Sequence, residues 1–281
     1  MKSIWLRTVA LPTLIATPAI AADLPVKAPP APPPAAAPAY DWTGFHIGLN
    51  AGADWARSGD PTTSASCAPA GFFGSYFACG DIPAIDALGS GSMSGNGFTG
   101  GAQAGYDWQF NSTVVGIEAD VDAFHARASR AGVGTPPTLG AQATITNSVA
   151  ADWLFTARGR LGWAFSNNIL AYATGGLAVT RLNASNSYSD VSTGFFSGTG
   201  AGTWNVTATK AGWTVGGGLE WALTKNWSAR AEYLYVHFDP ITASGVVSGT
   251  TGVLAGGYAS AISTSTDLSA QIARAGINYK F

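Results

Sequence analysis

The sequence predicts an all-β chain: an eight-stranded antiparallel transmembrane β-barrel with short turns at one end and four long outer loops at the other. Three observations carry that expectation. The last stretch, Asp267 to Phe281, alternates strictly. Phe281, Tyr279, Ile277, Ala275 and Ala273 fall on one face and Lys280, Asn278, Gly276 and Arg274 on the other, the period-2 signature of a two-faced strand. Charged residues make up only 11% of the chain, against roughly 25% in an ordinary soluble domain. No apolar run approaches the ~18 residues a membrane helix needs. Low charge with two-faced strands leaves a barrel as the way to cross a bilayer, because a closed sheet satisfies every backbone hydrogen bond internally.

Seven further stretches repeat the pattern. The first strand, 43–54, sets Phe45, Ile47, Leu49, Ala51 and Ala53 against His46, Gly48, Asn50, Gly52 and Asp54. The second, 98–109, carries Ala102, Ala104, Tyr106 and Trp108 on its apolar face. A tight turn leads into the third, 114–125, where Val115, Ile117, Ala119, Val121 and Ala123 oppose Glu118, Asp120 and Asp122. The fourth, 152–165, sets Trp153, Phe155, Ala157, Leu161 and Trp163 against Thr156, Arg158 and Arg160. The fifth, 169–182, is mild on both faces and its register is ambiguous. The sixth, 211–223, opposes Trp213, Val215, Leu219 and Trp221 to Thr214 and Glu220. The seventh, 227–238, has Arg230 and Glu232 on its polar face. Connections alternate long and short; the long ones, 55–97, 126–151, 183–210 and 239–266, are rich in Gly, Ser, Thr and Ala. Short turns on one side and long loops on the other are the asymmetry of a bacterial outer-membrane barrel, with both termini on the periplasmic side.

Residues 1–21 have the form of a secretory leader: Lys2 and Arg7, a short apolar core from Val9 to Ile15, and the small-residue site Ala19-Ile20-Ala21. Residues 22–40 are a Pro-rich extended linker, and 41–281 form the barrel. Cleavage removes two basic residues and no acidic one, leaving a mildly acidic chain with no nucleic-acid footprint. Cys67 and Cys79 are the two cysteines. In an oxidising compartment pairing is the favoured reading. Free thiols remain an alternative, and metal ligation has neither a C-x-x-C nor a nearby His in its support.

The tryptophans sort by position. Trp42, Trp108, Trp163, Trp221 and Trp227 fall at strand ends beside short turns or a terminus, and Trp55, Trp153 and Trp213 at the opposite ends. Two rings of aromatics are expected as interfacial girdles. The polar faces bring together Glu118, Asp120, Asp122, Arg158, Arg160, Glu220, Arg230, Glu232 and Arg274. A small barrel is just wide enough for side chains to fill it, so these nine are expected as an interior charge network, a satisfied polar core or a narrow gated path. His125 with Ser129, and His237 with Asp239, are the only candidates for hydrolytic chemistry, and spacing alone does not join them. Gly216 to Gly218 opens no helix and is not a phosphate loop. No catalytic, cofactor or metal site is expected.

Several motifs together resemble a known family. They are A-D-L-P before the Pro-rich spacer, D-W-T-G-F at 41–45, G-R-L-G-W at 159–163 with Y-A-T-G-G at 172–176, G-W-T-V-G-G-G-L-E at 212–220, A-E-Y-L-Y-V at 231–236 and G-I-N-Y-K-F at 276–281. The chain resembles the small outer-membrane barrels of alphaproteobacteria, the porin-like surface antigens related to the transmembrane domain of outer membrane protein A. The resemblance implies contact with outer-membrane lipid and lipopolysaccharide. It also implies assembly by the outer-membrane insertion machinery, reading the closing strand through Phe281, Tyr279 and Ile277. No peptidoglycan-binding domain is expected after Phe281. The expected function is envelope integrity and surface exposure, with at most limited passage of small hydrophilic solutes. A general-diffusion porin is the alternative and a lipid A-modifying barrel enzyme a distant one. No feature names an external partner for the loops.

Overall fold

In the computed structural model the described residues are 40–67, 79–137, 139–140, 142–166, 168–192, 198–251 and 254–281. The leader and almost all of the linker lie outside them. Nine strands and one short helix are present among the described residues: β1 (Gly44–Ser58), β2 (Thr62–Ala65), α1 (Ile82–Gly89), β3 (Met93–Phe110), β4 (Thr113–Gly134), β5 (Gln142–Ser166), β6 (Ile169–Ser192), β7 (Gly198–Ala222), β8 (Trp227–Thr251) and β9 (Leu254–Lys280). All nine belong to one antiparallel sheet in the order β1-β3-β4-β5-β6-β7-β8-β9-β2, and β1 also pairs with β9 from His46↔Lys280 to Arg57↔Ser269.

The expectation of eight strands and four long outer loops is overturned. The ninth strand, β2, adds to β9 through Thr62↔Ser265 to Ala65↔Ile262. Three of the expected loops are mostly strand, because β4 to β9 run 22 to 27 residues each, several times the usual 5–6. The long connection between β1 and β3 contains, among its described residues, β2 and α1. The short turns fall where expected. Asn111 turns β3 into β4 at φ 56°, a left-handed conformation that Asn tolerates.

The strands outrun the expectation because their polarity reverses part-way. On β4 the outward side chains Val115, Ile117, Ala119, Val121 and Ala123 give way to His125, Arg127 and Ser129, while inward Glu118, Asp120 and Asp122 give way to Phe124, Ala126 and Ala128. On β5 and β8 the reversal coincides with a bulge. Register shifts lie between Ala151 and Leu154, and between Phe238 and Ile241 at Asp239-Pro240. Pro240 has no N–H to give a ladder, which suits a bulge. Beyond these bulges Thr144, Thr146, Ser148, Thr242 and Ser244 point outward and Ile145, Val149, Ile241, Ala243 and Val247 inward. The outward apolar run Val115–Ala123 is nine residues long, within the ~9–11 that a tilted strand needs to cross the hydrocarbon core.

The interior is therefore layered. Trp42, Val114, Leu170 and Ala222 pack at the turn end. A charged layer lies above them. A larger apolar cluster follows, built on Phe124, Leu154, Leu182, Leu234, Phe238 and Leu268. At the far end Ile85 of α1 packs with Ile145, Tyr188, Trp204, Val247 and Ile262. Trp204 fits because Gly245 faces it: a Cβ there would lie 2.4 Å from the Trp204 Cβ.

The reversal yields a prediction. Ala119→Arg, in the outward apolar belt, costs about 2–4 kcal/mol of stability in a bilayer, whereas Thr203→Arg, outward on the extension of β7, stays within about 0.5 kcal/mol. Urea unfolding of vesicle-inserted protein measures both.

Candidate functional site: a buried charge network

The nine charged residues singled out by alternation all lie on inward faces and all are buried. The sheet places them close together. β4 and β5 pair Glu118 with Arg158 directly. β8 and β9 pair Glu232 with Arg274, and β7 and β8 pair Glu220 with Arg230. Across the interior the guanidinium groups reach further. Arg158 donates to Glu118 at 2.5 Å, Asp120 at 2.7 Å and Glu232 at 3.0 Å. Arg274 donates to Asp122 at 2.7 Å, Asp120 at 3.1 Å and Glu232 at 2.8 Å. Arg230 donates to both oxygens of Glu118 and, at 2.9 Å, to Glu232.

Arg160 belongs to a second group with Asp107, at 3.1 Å, and Glu220. Asp107, His46, Tyr172, Gln103 and Asn278 were not among the expected network residues. The alternation of β1, β3 and β9 already put His46, Gln103, Asp107 and Asn278 on polar faces, so their signal was present. Tyr172 was hidden by the mildness of β6. His46 sits between Asp107 and Glu118, 3.6 and 3.4 Å away. The Tyr172 ring lies under the Arg160 guanidinium, 4.0 Å from its centroid, and its hydroxyl donates to Glu232 at 3.1 Å. The close approach of the ring to β7 needs Gly218, where a Cβ would meet the hydroxyl at 2.7 Å. An amide relay runs Asn50 to Gln103 to Asn278 to Glu220, at 3.2, 2.6 and 2.9 Å.

Burying charges is costly unless each is paired and hydrogen-bonded, and bidentate Arg–carboxylate contacts are the strongest way to do so. Four guanidinium groups serve six carboxylates here (Asp107, Glu118, Asp120, Asp122, Glu220 and Glu232). The layer is thus a shared lattice rather than a set of separate pairs.

Below it the chain entering β1 crosses the turn end. The Trp42 amide donates to Gln109 Oε1 at 2.7 Å, and the Tyr40 and Trp42 rings meet edge-on at 4.7 Å. Burial, and next the negative charge of Glu220, push the Tyr40 hydroxyl up to about 12.

Of the girdle tryptophans, Trp108, Trp163, Trp221 and Trp227 are exposed at the turn end and Trp55 and Trp213 at the other; Trp153 is half-buried. Trp42 differs, being only 4% exposed and packed inside the turn-end cluster. It precedes β1 rather than lying in it, so strand alternation does not govern its direction. Outward aromatics form a chain at the closing strand: Phe45 to Phe281, Phe281 to Tyr279 and Tyr279 to Trp227, with centroids 5.7, 5.0 and 5.1 Å apart. Ile277 continues the same face.

Cys67 and Cys79 are joined by a disulfide, which ties the end of β2 to the approach to α1. The hydrolytic candidates are not brought together. His125 and Ser129 are exposed on β4, two strand repeats apart, and His237, on β8, meets the Trp213 ring of β7 at a tilt; β8 is not adjacent to β4. Among the described residues no group of three His, Cys, Asp or Glu side chains is placed to hold a metal ion.

Residues 28–281 match the outer membrane protein beta-barrel domain family. The chain belongs to that family. The 31 kDa outer-membrane immunogenic protein of Brucella melitensis biotype 1 is 34% identical over 236 residues, 84% of this chain and 86% of that one. The 25 kDa outer-membrane immunogenic protein of Brucella abortus biovar 1 is 27% identical over 282 residues, 100% of this chain and 99% of that one. A 22 kDa outer membrane protein of Rhizobium leguminosarum bv. viciae is 30% identical over 143 residues, 51% of this chain and 54% of that one. The chain is an outer-membrane surface barrel.

Arg158→Ala leaves Glu118, Asp120 and Glu232 short of a partner in the interior. Removing one side of such a buried set costs about 3–5 kcal/mol. A lowered denaturant midpoint with unchanged far-UV spectrum is the expected readout.

Proposed function

We propose that this protein is a closed, non-catalytic envelope barrel. It stabilises the outer membrane and holds a rigid surface outside the belt, with at most limited passage of small hydrophilic solutes. The observation that carries this reading is the filled interior: a charged lattice between two apolar layers, with α1 packed at the far end. Water and ions would have to break ion pairs and then part an apolar cluster. That argues for a plug over the wide eyelet of a general-diffusion porin.

In this reading the short turns and both termini face the periplasm, as in bacterial barrels generally, and the extensions of β4 to β9 stand in the lipopolysaccharide layer. The closing strand, with Phe281, Tyr279 and Ile277 outward, serves the outer-membrane insertion machinery. The interior carries more carboxylates than guanidinium groups, so any leak favours cations.

Planar-bilayer recording tests the plug, with Arg158→Ala and Glu118→Ala beside the wild type. The expected result is silence or rare small flickers for the wild type and more frequent, cation-selective events for either variant. Large stable steps in the wild type would sink the plug and favour the porin. For assembly, deletion of Phe281 is expected to lower the level of the heat-modifiable, folded form in the outer membrane. An unchanged level would remove the role given to the closing aromatic.

A further inference from the structure

A hollow of about 810 Å³ lies in the outward wall, among residues of β1, β3, β4, β5, β8 and β9. Strand register explains it. One outward row runs Tyr279↔Ile47↔Ala104↔Ala119↔Ala157, with Trp227 paired to Tyr279 at one end. The next runs Ile277↔Leu49↔Ala102↔Val121↔Phe155. Trp227, Tyr279 and Ile47 bound the first row at one end, Ile277 and Leu49 with Val121 and Phe155 bound the second at both, and alanines 102, 104 and 119 form a low floor between them. A second hollow of about 500 Å³ shares Ala104 and Ala119 and extends the floor towards Tyr106, Ile117 and Gly159.

The rows cross the wall obliquely. Tyr279 and Trp227 lie at the turn-end girdle, one residue from the end of β9 and at the start of β8. Ala119 lies six residues in from Thr113, the turn end of β4, and Ala157 six residues in from Trp163, which pairs with Thr113. The hollow therefore begins beside interfacial aromatics, which combine an apolar ring with a polar edge. It ends near mid-belt. Its span is that of one leaflet, and its polarity runs the same way as a lipid.

We propose that this hollow seats one acyl chain of a periplasmic-leaflet phospholipid, its glycerol ester region against Trp227 and Tyr279 and its chain over Ala104, Ala102 and Ala119. The site rests on the membrane reading above and is continuous with the lipid-facing belt. A second copy of this chain fits less well: a two-fold contact sets the same patch against itself, hollow against hollow, whereas a flexible chain fills the floor without needing a matching ridge. The opposite end of the barrel, not this one, faces lipopolysaccharide, so a phospholipid is the source.

The test uses the full mature chain in nanodiscs containing a phosphatidylethanolamine with a photoactivatable acyl chain. Adducts are mapped by peptide mass spectrometry. The expected adducts concentrate on β1, β3 and β4 around the floor. The double variant Ala104→Leu/Ala119→Leu, which raises the floor, loses them roughly tenfold, what two chain methylenes kept out of the hollow would cost. Ala173→Leu, outward on β6, leaves them unchanged. Adducts spread evenly round the belt, or unaffected by the double variant, would overturn the proposal. So would labelling of the floor by a photoactivatable lipopolysaccharide instead, or by a second copy of the chain. Failure of the wild type to enter the nanodisc in heat-modifiable form would overturn the membrane reading itself, which separates the two.

Discussion

Closure of the sheet is the constraint on which the rest depends. Within hydrocarbon an unpaired strand edge leaves a row of N–H and C=O groups without partners, each costing several kcal/mol. The pairing of β1 with β9 along twelve residues removes that edge. Once the sheet is closed, every second side chain is forced inward whatever its chemistry. The belt must be apolar outside, so polar character is free to accumulate inside. It is then held there by the sharing of each guanidinium among two or three carboxylates.

The strands do not end where the apolar belt does. Beyond the belt they continue as a water-facing closed sheet, whose core must be apolar and whose outside must be polar. One strand thus serves two solvents, and its two faces exchange roles between them. On β4 the alternation keeps its phase and residue choice makes the exchange, from Val121 and Asp122 to Phe124 and His125, at the point where the register with β5 shifts between Ala123 and Ala126. On β5 and β8 bulges shift the phase of alternation by one residue. The outer half can then be rigid rather than looped. Cross-strand hydrogen bonds such as Ser185 Oγ to Asn205 Oδ1 at 2.7 Å and Thr207 Oγ1 to Asn183 Oδ1 at 2.8 Å line its outer surface. The disulfide and α1 finish its far end.

The belt was legible in the sequence because its contrast is strong. Large apolar residues alternate with Glu, Asp and Arg, and each of the nine network residues could be placed from that contrast alone. The extensions were not legible, because Ser, Thr, Gly and Ala alternate weakly and are also what loops are made of. Asn183 to Lys210 reads as a loop until Leu182, Ala184, Tyr188 and Trp204 are seen to share one side. Trp204 was the clue: an indole inside an apparent loop is expensive to leave in water. Strand β2 has only four residues and carries no pattern of its own, so it exists through its partner β9. The direction of Trp42 was beyond reach for a similar reason, since it lies outside any strand.

The most direct test of this account is a spin-label scan along the outward positions of β4, from Val115 to Ser129, in a bilayer. Accessibility to oxygen and to a water-soluble nickel chelate is read at each site. Oxygen access should dominate from Val115 to Ala123 and chelate access from His125 onward, with strand-type immobilisation throughout. Chelate access rising before Val121, or the loss of alternating immobilisation beyond His125, would contradict a single strand passing from lipid to water.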